Sequence, residues 1–410
     1  MKFSEYHILP EIKQSLEEAG FKRPTDIQFK AIPSILSGED VLAIAQTGTG
    51  KTAAFAIPII HLISKAGTGR GVQAIVMVPT HELAIQITEV FEKIGKYTDV
   101  RTLGIYGGVD QDPQIERLHR GVDIVIATPG RLFDLSSQGH LNLRDIKLLV
   151  LDEADLMLDL GFYKDIEDLI KYLPRHRQTL FFSATIDDKI KKLAYSIVRN
   201  AIRIQISPKD PVSKNVTHSV MFVSMDDKRF FLERIVKENP DSKILVFVRT
   251  KVRAERVHEA MKRVGIKSLT MHGDKDQENR LAVMNEFKTG DVKLLIATDI
   301  SARGVDIANV DYVVNYDLPE VAENYVHRVG RTGRGNNKGV AVSFCSPEEK
   351  PVLDEIESFM DKAITVLKVD KADYTETLAL TEDVNDNWKQ LLREAEEDNK
   401  KFKKKPNKKK

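Results

Sequence analysis

The sequence predicts an α/β protein with two mainly parallel sheets in tandem, each covered by helices on both faces. Three observations lead there. Short apolar runs recur along the chain: "DVLAIA", "AIVMVP", "DIVIAT", "KLLVLD" and "TLFFSAT", then "KILVFV", "KLLIAT", "DYVVNY" and "GVAVSF". The runs are continuous rather than alternating, as strands buried on both faces are, and amphipathic stretches such as "HELAIQITEVFEKIGKY" separate them. The pattern occurs twice, on either side of the polar break "ISPKDPVSKNVTH".

A chain of 410 residues is too long for one core, and the elements divide it accordingly. Residues 1–205 make a first domain. Residues 206–213, with two prolines and no helical period, make a linker. Fully extended, it spans about 27 Å at roughly 3.4 Å per residue, short enough to keep two domains facing across a cleft. Residues 214–365 make a second domain, and residues 366–410 a charged extension that fades into a lysine-rich tail.

Composition excludes several classes. An apolar share of 42% with 30% charged residues describes a globular chain rather than a disordered one. The lone Cys345, in "GVAVSFC", excludes an internal disulfide framework, reads as a packed thiol and fits a reducing cytoplasm. Apolar runs of about six residues are far too short to span a membrane, and "MKFSEYHILP" has no signal-peptide core. The net charge of +1 hides an asymmetry: "KKFKKKPNKKK", from Lys400 on, holds eight lysines, leaving 54 basic against 61 acidic groups in residues 1–399. An anion-binding surface on the body must then be a local groove. The tail reads either as a non-specific nucleic-acid contact or as a solvated solubility tail.

"AQTGTGKT", residues 45–52, follows one apolar run and precedes a helical one. Ala45, Gln46, Thr47, Gly48, Thr49, Gly50, Lys51 and Thr52 form the expected phosphate cradle. Glycines let backbone N–H groups curl around phosphate oxygens, Lys51 reaches the terminal phosphates, and the Thr52 hydroxyl can ligate magnesium. The full pattern has glycine where this chain has Ala45, a small residue that a tight loop tolerates. A magnesium–triphosphate also needs acid, and "LLVLDEAD" supplies it at a strand end. Asp152 suits the metal, partly through water, and Glu153 is placed to orient or deprotonate the attacking water.

In that order and spacing, "AQTGTGKT", "LDEAD" and "SAT" (183–185) resemble the DEAD-box ATP-dependent RNA helicases, and more closely a bacterial RhlE-like subgroup. Further matches extend from residue 3 to about 345: "GFKRPTDIQ", "GG" (107–108), "TPGR" (128–131), "LVFVRT", "HGDKDQENR", "ATDISARGVDI" and "YVHRVGRTGR". The resemblance implies two tandem RecA-like domains with ATP between them and RNA across both. The second half lacks a phosphate loop of its own, so it must contribute in trans. Arg331 and Arg334 are the expected fingers on the terminal phosphate, a device typically contributing about 10³–10⁵ in rate. The resemblance further gives Gly304 and Asp306 to the nucleotide, and Ser183, Thr185, Asp155 and His327 to coupling between sites.

A carboxamide matches the N6 and N7 edge of adenine, so Gln28 is the expected reader, supported by Thr25, with Phe21 or Phe3 stacking on the ring. RNA is expected to be held by phosphate and sugar contacts from Pro79, Thr80, His81, Gly108, Thr128, Gly130, Arg131, Gln277, Arg280, Thr298 and Arg303. The expected activity is ATP hydrolysis with local unwinding of short duplexes, ribosomal precursors or RNA-degradation proteins being candidate partners. An ATP-gated RNA clamp shares every motif.

"PTHELAIQ", residues 79–86, departs from the family. The pair His81-Glu82 invites a zinc-protease reading, but the second histidine such a helix needs would fall at Ile85. The family normally carries arginine at His81. Arginine brings a permanent charge and a fork of donors, so the histidine is expected to give a weaker RNA contact. Glu82 reads as a helix-start residue.

Overall fold

The computed structural model describes residues 2–46, 48–69, 71–206, 212, 215–302, 307, 310–333 and 337–382. Thr47, Arg303, Gly304, Asp306, Arg334, most of the expected linker and the lysine tail lie outside the described residues.

The first sheet contains β1 (Val41–Ala45), β2 (Ala74–Met77), β3 (Thr102–Ile105), β4 (Ile124–Ala127), β5 (Leu148–Leu151), β6 (Gln178–Ser183) and β7 (Ile202–Ile206). Their order is β3-β4-β2-β5-β6-β1-β7, all parallel, with Val41 facing Leu180 on one side and Ile202 on the other. The second contains β8 (Val216–Phe222), β9 (Ile244–Val248), β10 (Leu269–Met271), β11 (Leu294–Thr298), β12 (Tyr312–Asn315), β13 (Gly339–Cys345) and β14 (Thr365–Val366). Its order is β10-β11-β9-β12-β13-β8-β14, again parallel. Parallel neighbours require crossovers, and the helices that make them cover the faces.

Each sheet is a wall between two cores. Along β1, Val41, Ala43 and Ala45 enter one core while Leu42 and Ile44 enter the other. Period two sends alternate residues to opposite faces, and because both faces are buried every position is apolar. The second sheet repeats this, with Leu245 and Phe247 on one side and Val246 and Val248 on the other. Cys345 is fully buried at the end of β13, and burial pushes its thiol up to about 11, which keeps it a packing group.

Two boundaries differ from the expected ones. Ile206 ends β7 and Val212 is buried in the second core, so both domains take residues from the expected linker. The second domain also runs past residue 365. β14 pairs with β8, and the following helix Lys371–Glu382 brings Tyr374 against Phe231, its hydroxyl 2.8 Å from Asp227.

Candidate nucleotide site and nucleic-acid interface

Strand order sorts the expected functional residues into two groups along the carboxyl edge of the first sheet. β5, β6 and β1 are neighbours, and they end in Asp152-Glu153, Ser183 and the phosphate loop. β3, β4 and β2 are neighbours on the other half, and they end near Gly108, in Thr128 and in Pro79-Thr80-His81. One edge therefore holds a nucleotide end and a second end that carries the proposed RNA residues.

The loop after β1 turns into the helix Lys51–Ala66 through Gly50, whose φ of 91° is left-handed and open to glycine without strain. Thr49 closes the turn by donating its hydroxyl to the Gln46 carbonyl at 2.7 Å. Lys51 is buried, and among the described residues its ammonium has no hydrogen-bond partner. An unmatched buried cation at a helix N-terminus is a site prepared for an anion.

Asp152 is also buried and accepts the backbone N–H of Glu153 at 3.0 Å. Burial pushes its carboxyl up to about 7; the charge of Lys51 works against that rise and Glu153 adds to it. Glu153 sits at φ 49°, ψ 51°, left-handed although it is not glycine, and starts the helix Ala154–Asp159. Such strain points to a side chain held for use. Asp155 accepts the Ala184 N–H at 3.2 Å, which ties the acidic turn to the strand end carrying Ser183 and Thr185. Ser183 is fully buried, and its hydroxyl has no partner among the described residues. Thr52 and Asp152 offer a hydroxyl and a carboxylate, donors suited to a hard cation that brings phosphate oxygens as its remaining ligands.

Gln28 is already engaged. Its carbonyl oxygen accepts the Thr25 N–H at 2.9 Å, and its amide donates to the Gly50 carbonyl at 3.1 Å. The side chain expected to read adenine is thus also the tether between a helix start and the phosphate loop. A carboxamide keeps one lone pair and one hydrogen beyond these two bonds. Phe3 is buried and meets the half-exposed Phe21 edge to face at 5.9 Å, so Phe3 supports the ring rather than offering itself. Thr25 is exposed.

In the second group several expected RNA residues have partners of their own within the chain. Gln277 and Arg280, expected on RNA, reach the first domain. The Oε1 of Gln277 lies 3.0 Å from His81 Nδ1, and Arg280 Nη2 lies 3.0 Å from the Glu82 carboxylate. Both partners start the helix His81–Ile94, while Gln277 starts the helix Gln277–Thr289, so two helix beginnings meet end to end. Glu82 is accordingly an interdomain ion-pair residue and not merely a helix starter; it is 3% exposed, and Arg280 compensates it. Gly108, at φ 75°, lies where a Cβ would come within 3.2 Å of the Gln277 side chain and 3.4 Å of the His81 ring. A side chain there would crowd the meeting of the domains, and the left-handed φ itself favours glycine. His81 also lies 5.9 Å from the Tyr106 ring.

Arg131 is buried too, with Nη2 donating to the Val109 carbonyl at 2.8 Å, so it holds the glycine turn while its Nη1 stays unpartnered. Thr80 caps its helix by accepting the Leu83 N–H at 3.3 Å; Pro79 and Thr128 are buried, and Gly130 is exposed at the first turn of Pro129–Ser137. Thr298 contacts the Ser301 hydroxyl at 3.2 Å.

In the arginine segment, Arg331 is buried and His327 half-buried. Arg328, which sequence reasoning passed over, is the organiser: 2% exposed, it grips Asp299 with two bonds of 2.6 and 2.7 Å and donates to the Asp317 carbonyl at 2.6 Å. It fixes Asp299, at the start of the helix Asp299–Ala302, against the helix Ala322–Val329. The available signal was an arginine on the apolar face of an amphipathic helix, three residues before Arg331.

Two parallel sheets, one phosphate loop and an acidic strand end together define a P-loop nucleoside-triphosphatase with a second, loop-free sheet domain. Comparison with known proteins makes the assignment specific. The DEAD/DEAH box helicase family matches residues 25–193, and the helicase conserved C-terminal domain matches residues 227–336. The RNA helicase RhpA of Helicobacter pylori is 40% identical over 367 residues, covering 90% of this chain and 74% of the relative. RhlB of Shewanella oneidensis is 40% identical over 377 residues, covering 90% and 86%. The structure of S. cerevisiae Dbp5 bound to RNA and ADP BeF3 superposes with a TM-score of 0.82 at 31% identity, covering 92% of this chain and 98% of that one. The chain belongs to the DEAD-box ATP-dependent RNA helicase family.

Among the described residues no helix is long and apolar enough to cross a membrane.

Proposed function

We propose that this chain hydrolyses ATP when RNA is bound and uses closure of its two domains to separate short RNA duplexes locally. The observation that carries the reading is the buried, unmatched Lys51 ammonium beside the strained Glu153 turn, an anion site next to a positioned carboxylate. Lys51 and the loop N–H groups hold the terminal phosphates, and Glu153 orients or deprotonates the attacking water. Magnesium, held by Thr52 and Asp152 partly through water, would neutralise phosphate charge when bound. Arg331, with Arg334, serves as the finger from the second domain, and Gly304 and Asp306 contact the nucleotide sugar side. Gln28 and Phe21 read the base, so adenine is preferred.

RNA lies across Pro79, Thr80, His81, Gly108, Thr128, Gly130, Arg131, Gln277, Arg280, Thr298 and Arg303, held through its backbone and without base reading. Asp155, Ser183, Thr185 and His327 link this surface to the nucleotide. A strand bent along such a groove cannot keep its complement, which yields local unwinding. The two sheet domains act as the two helicase modules, in a cytoplasmic setting, on ribosomal precursors or with RNA-degradation proteins.

The test is steady-state ATPase with and without single-stranded RNA. The wild type should be stimulated at least tenfold, and Glu153→Gln should abolish the stimulated rate while RNA binding with a non-hydrolysable ATP analogue persists. Equal rates with and without RNA would sink the reading.

A further inference from the structure

At the opposite, amino edge of the first sheet a cavity of about 380 Å³ opens beneath β1 and β6. That volume is in the range of small-ligand pockets, roughly 300–1,000 Å³. Arg175, Arg177 and Arg199 line it, with Ile170, Leu173 and Ile197 as apolar wall. The one carboxylate on its lining, Asp40, is committed to the backbone: its two oxygens accept the Thr179 and Arg199 N–H groups, each at 2.7 Å. Lys171, also on the lining, has its own partner in Asp168 at 2.7 Å.

None of the three guanidiniums closes an ion pair among the described residues, although the charge of Asp40 is felt at Arg177. Arg177 donates Nη1 to the Pro174 carbonyl at 2.7 Å, but its Nε is buried with no hydrogen-bond partner. Its basicity is pushed down first by burial and then by the charge of Arg199, with Asp40 opposing. Three clustered cations, one holding an unmatched buried donor, call for an anion with several oxygens. Planar guanidiniums suit phosphate oxygens in particular.

We propose that this cavity binds a compact oligophosphate anion, of which pyrophosphate is the simplest member. It is separate from the nucleotide loop: the two lie at opposite ends of β1, whose five residues span about 17 Å at roughly 3.3 Å each. The enclosing apolar wall and the distance from the RNA-facing edge favour a small anion over a polynucleotide.

Equilibrium dialysis of radiolabelled pyrophosphate against the full chain carrying Lys51→Ala tests this, since that substitution weakens phosphate binding at the loop. One saturable site is expected, weakened at least tenfold by Arg199→Gln and by Arg177→Gln and partly restored by Arg199→Lys. The exposed Arg175→Gln and Arg199→Gln decide the matter if Arg177→Gln lowers the thermal midpoint. Absence of saturable binding in the Lys51→Ala chain, or equal affinity in Arg199→Gln, overturns the proposal. So does loss of single-stranded RNA affinity in the arginine variants without pyrophosphate binding, which would make the surface a second RNA contact.

Discussion

His81 Nδ1 and Gln277 Oε1 lie 3.0 Å apart although 196 residues separate them in the chain, and the next pair along, Glu82 and Arg280, repeats the contact with full charges. His81 is therefore a point of contact between the two domains. A single neutral hydrogen bond contributes about 0.5–1.5 kcal/mol. His81→Ala should then raise the RNA concentration for half-maximal ATPase by about 2- to 13-fold. His81→Arg, with more donors and a fixed charge, should hold Gln277 and phosphate together and lower that concentration. An RNA titration unchanged in both variants removes His81 from the coupling.

Arg280→Gln should be the more damaging change. Glu82 is 3% exposed, and stripping a buried carboxylate of its cation costs roughly 3–5 kcal/mol. That cost falls on the joined domains, where the pair is formed. RNA-stimulated ATPase should therefore need at least tenfold more RNA, while the RNA-independent rate and the thermal midpoint stay near wild type. The double variant Glu82→Gln/Arg280→Gln, lacking the stranded charge, should recover part of the loss. A double variant as impaired as the single would show that Arg280 acts on something other than Glu82.

What could be read from sequence divides along the same line of locality. The nine apolar runs correspond to β1, β2, β4, β5, β6, β9, β11, β12 and β13, which are buried on both faces. The strands without such runs are β3, β7, β10 and β14 at sheet edges, and β8 beside the two-residue β14. An edge strand keeps one side in water, so Ile202–Ile206 alternates with arginine and glutamine and loses the continuous signature. The phosphate loop was legible because its chemistry is complete within eight consecutive residues. The partners of Gln277, Arg280 and Arg131 were not, since each is a long side chain whose target is set by how distant segments pack. Gln28 was half legible: its carboxamide chemistry was evident, its tether to Gly50 was not.

Glu153 pairs strain with function. A non-glycine residue in the left-handed region costs of order 1–3 kcal/mol, which glycine relieves at the expense of about 0.5–1 kcal/mol of chain entropy. Glu153→Gly should accordingly abolish RNA-stimulated ATPase without lowering the thermal midpoint, and raise it by up to a few degrees. Glu153→Ala keeps the strain and loses the same activity, so its midpoint should fall below that of the glycine variant. If alanine is the more stable of the two, the turn is not strained in solution.

The segment that presents Gln277 has its own brace, and that brace is sensitive to acid. Glu255, on the helix Lys251–Arg263, accepts the Thr270 hydroxyl at 2.8 Å and lies 2.7 Å from His272 Nε2, with Lys275 at 3.4 Å. Partial burial alone would raise its carboxyl, but the bonds from His272 and Thr270 and the Lys275 charge outweigh it and bring it down to about 2. An unfolded glutamate titrates near 4.3, so the folded form holds its proton less tightly than the unfolded chain does. The resulting stability is fully present above about pH 4.3 and is lost as pH falls toward 2. Glu255→Gln keeps the shape and an acceptor but removes the charge. Its thermal midpoint should lie below wild type at pH 6 and converge with it near pH 2. The gap should be a few degrees at most, because the side chain is 44% exposed and solvent screens it. A gap that stays constant from pH 6 to pH 2 would show that the charge of Glu255 contributes nothing. A gap that closes would show that the turn from His272 to Gln277 is held by ionisation before it reaches His81.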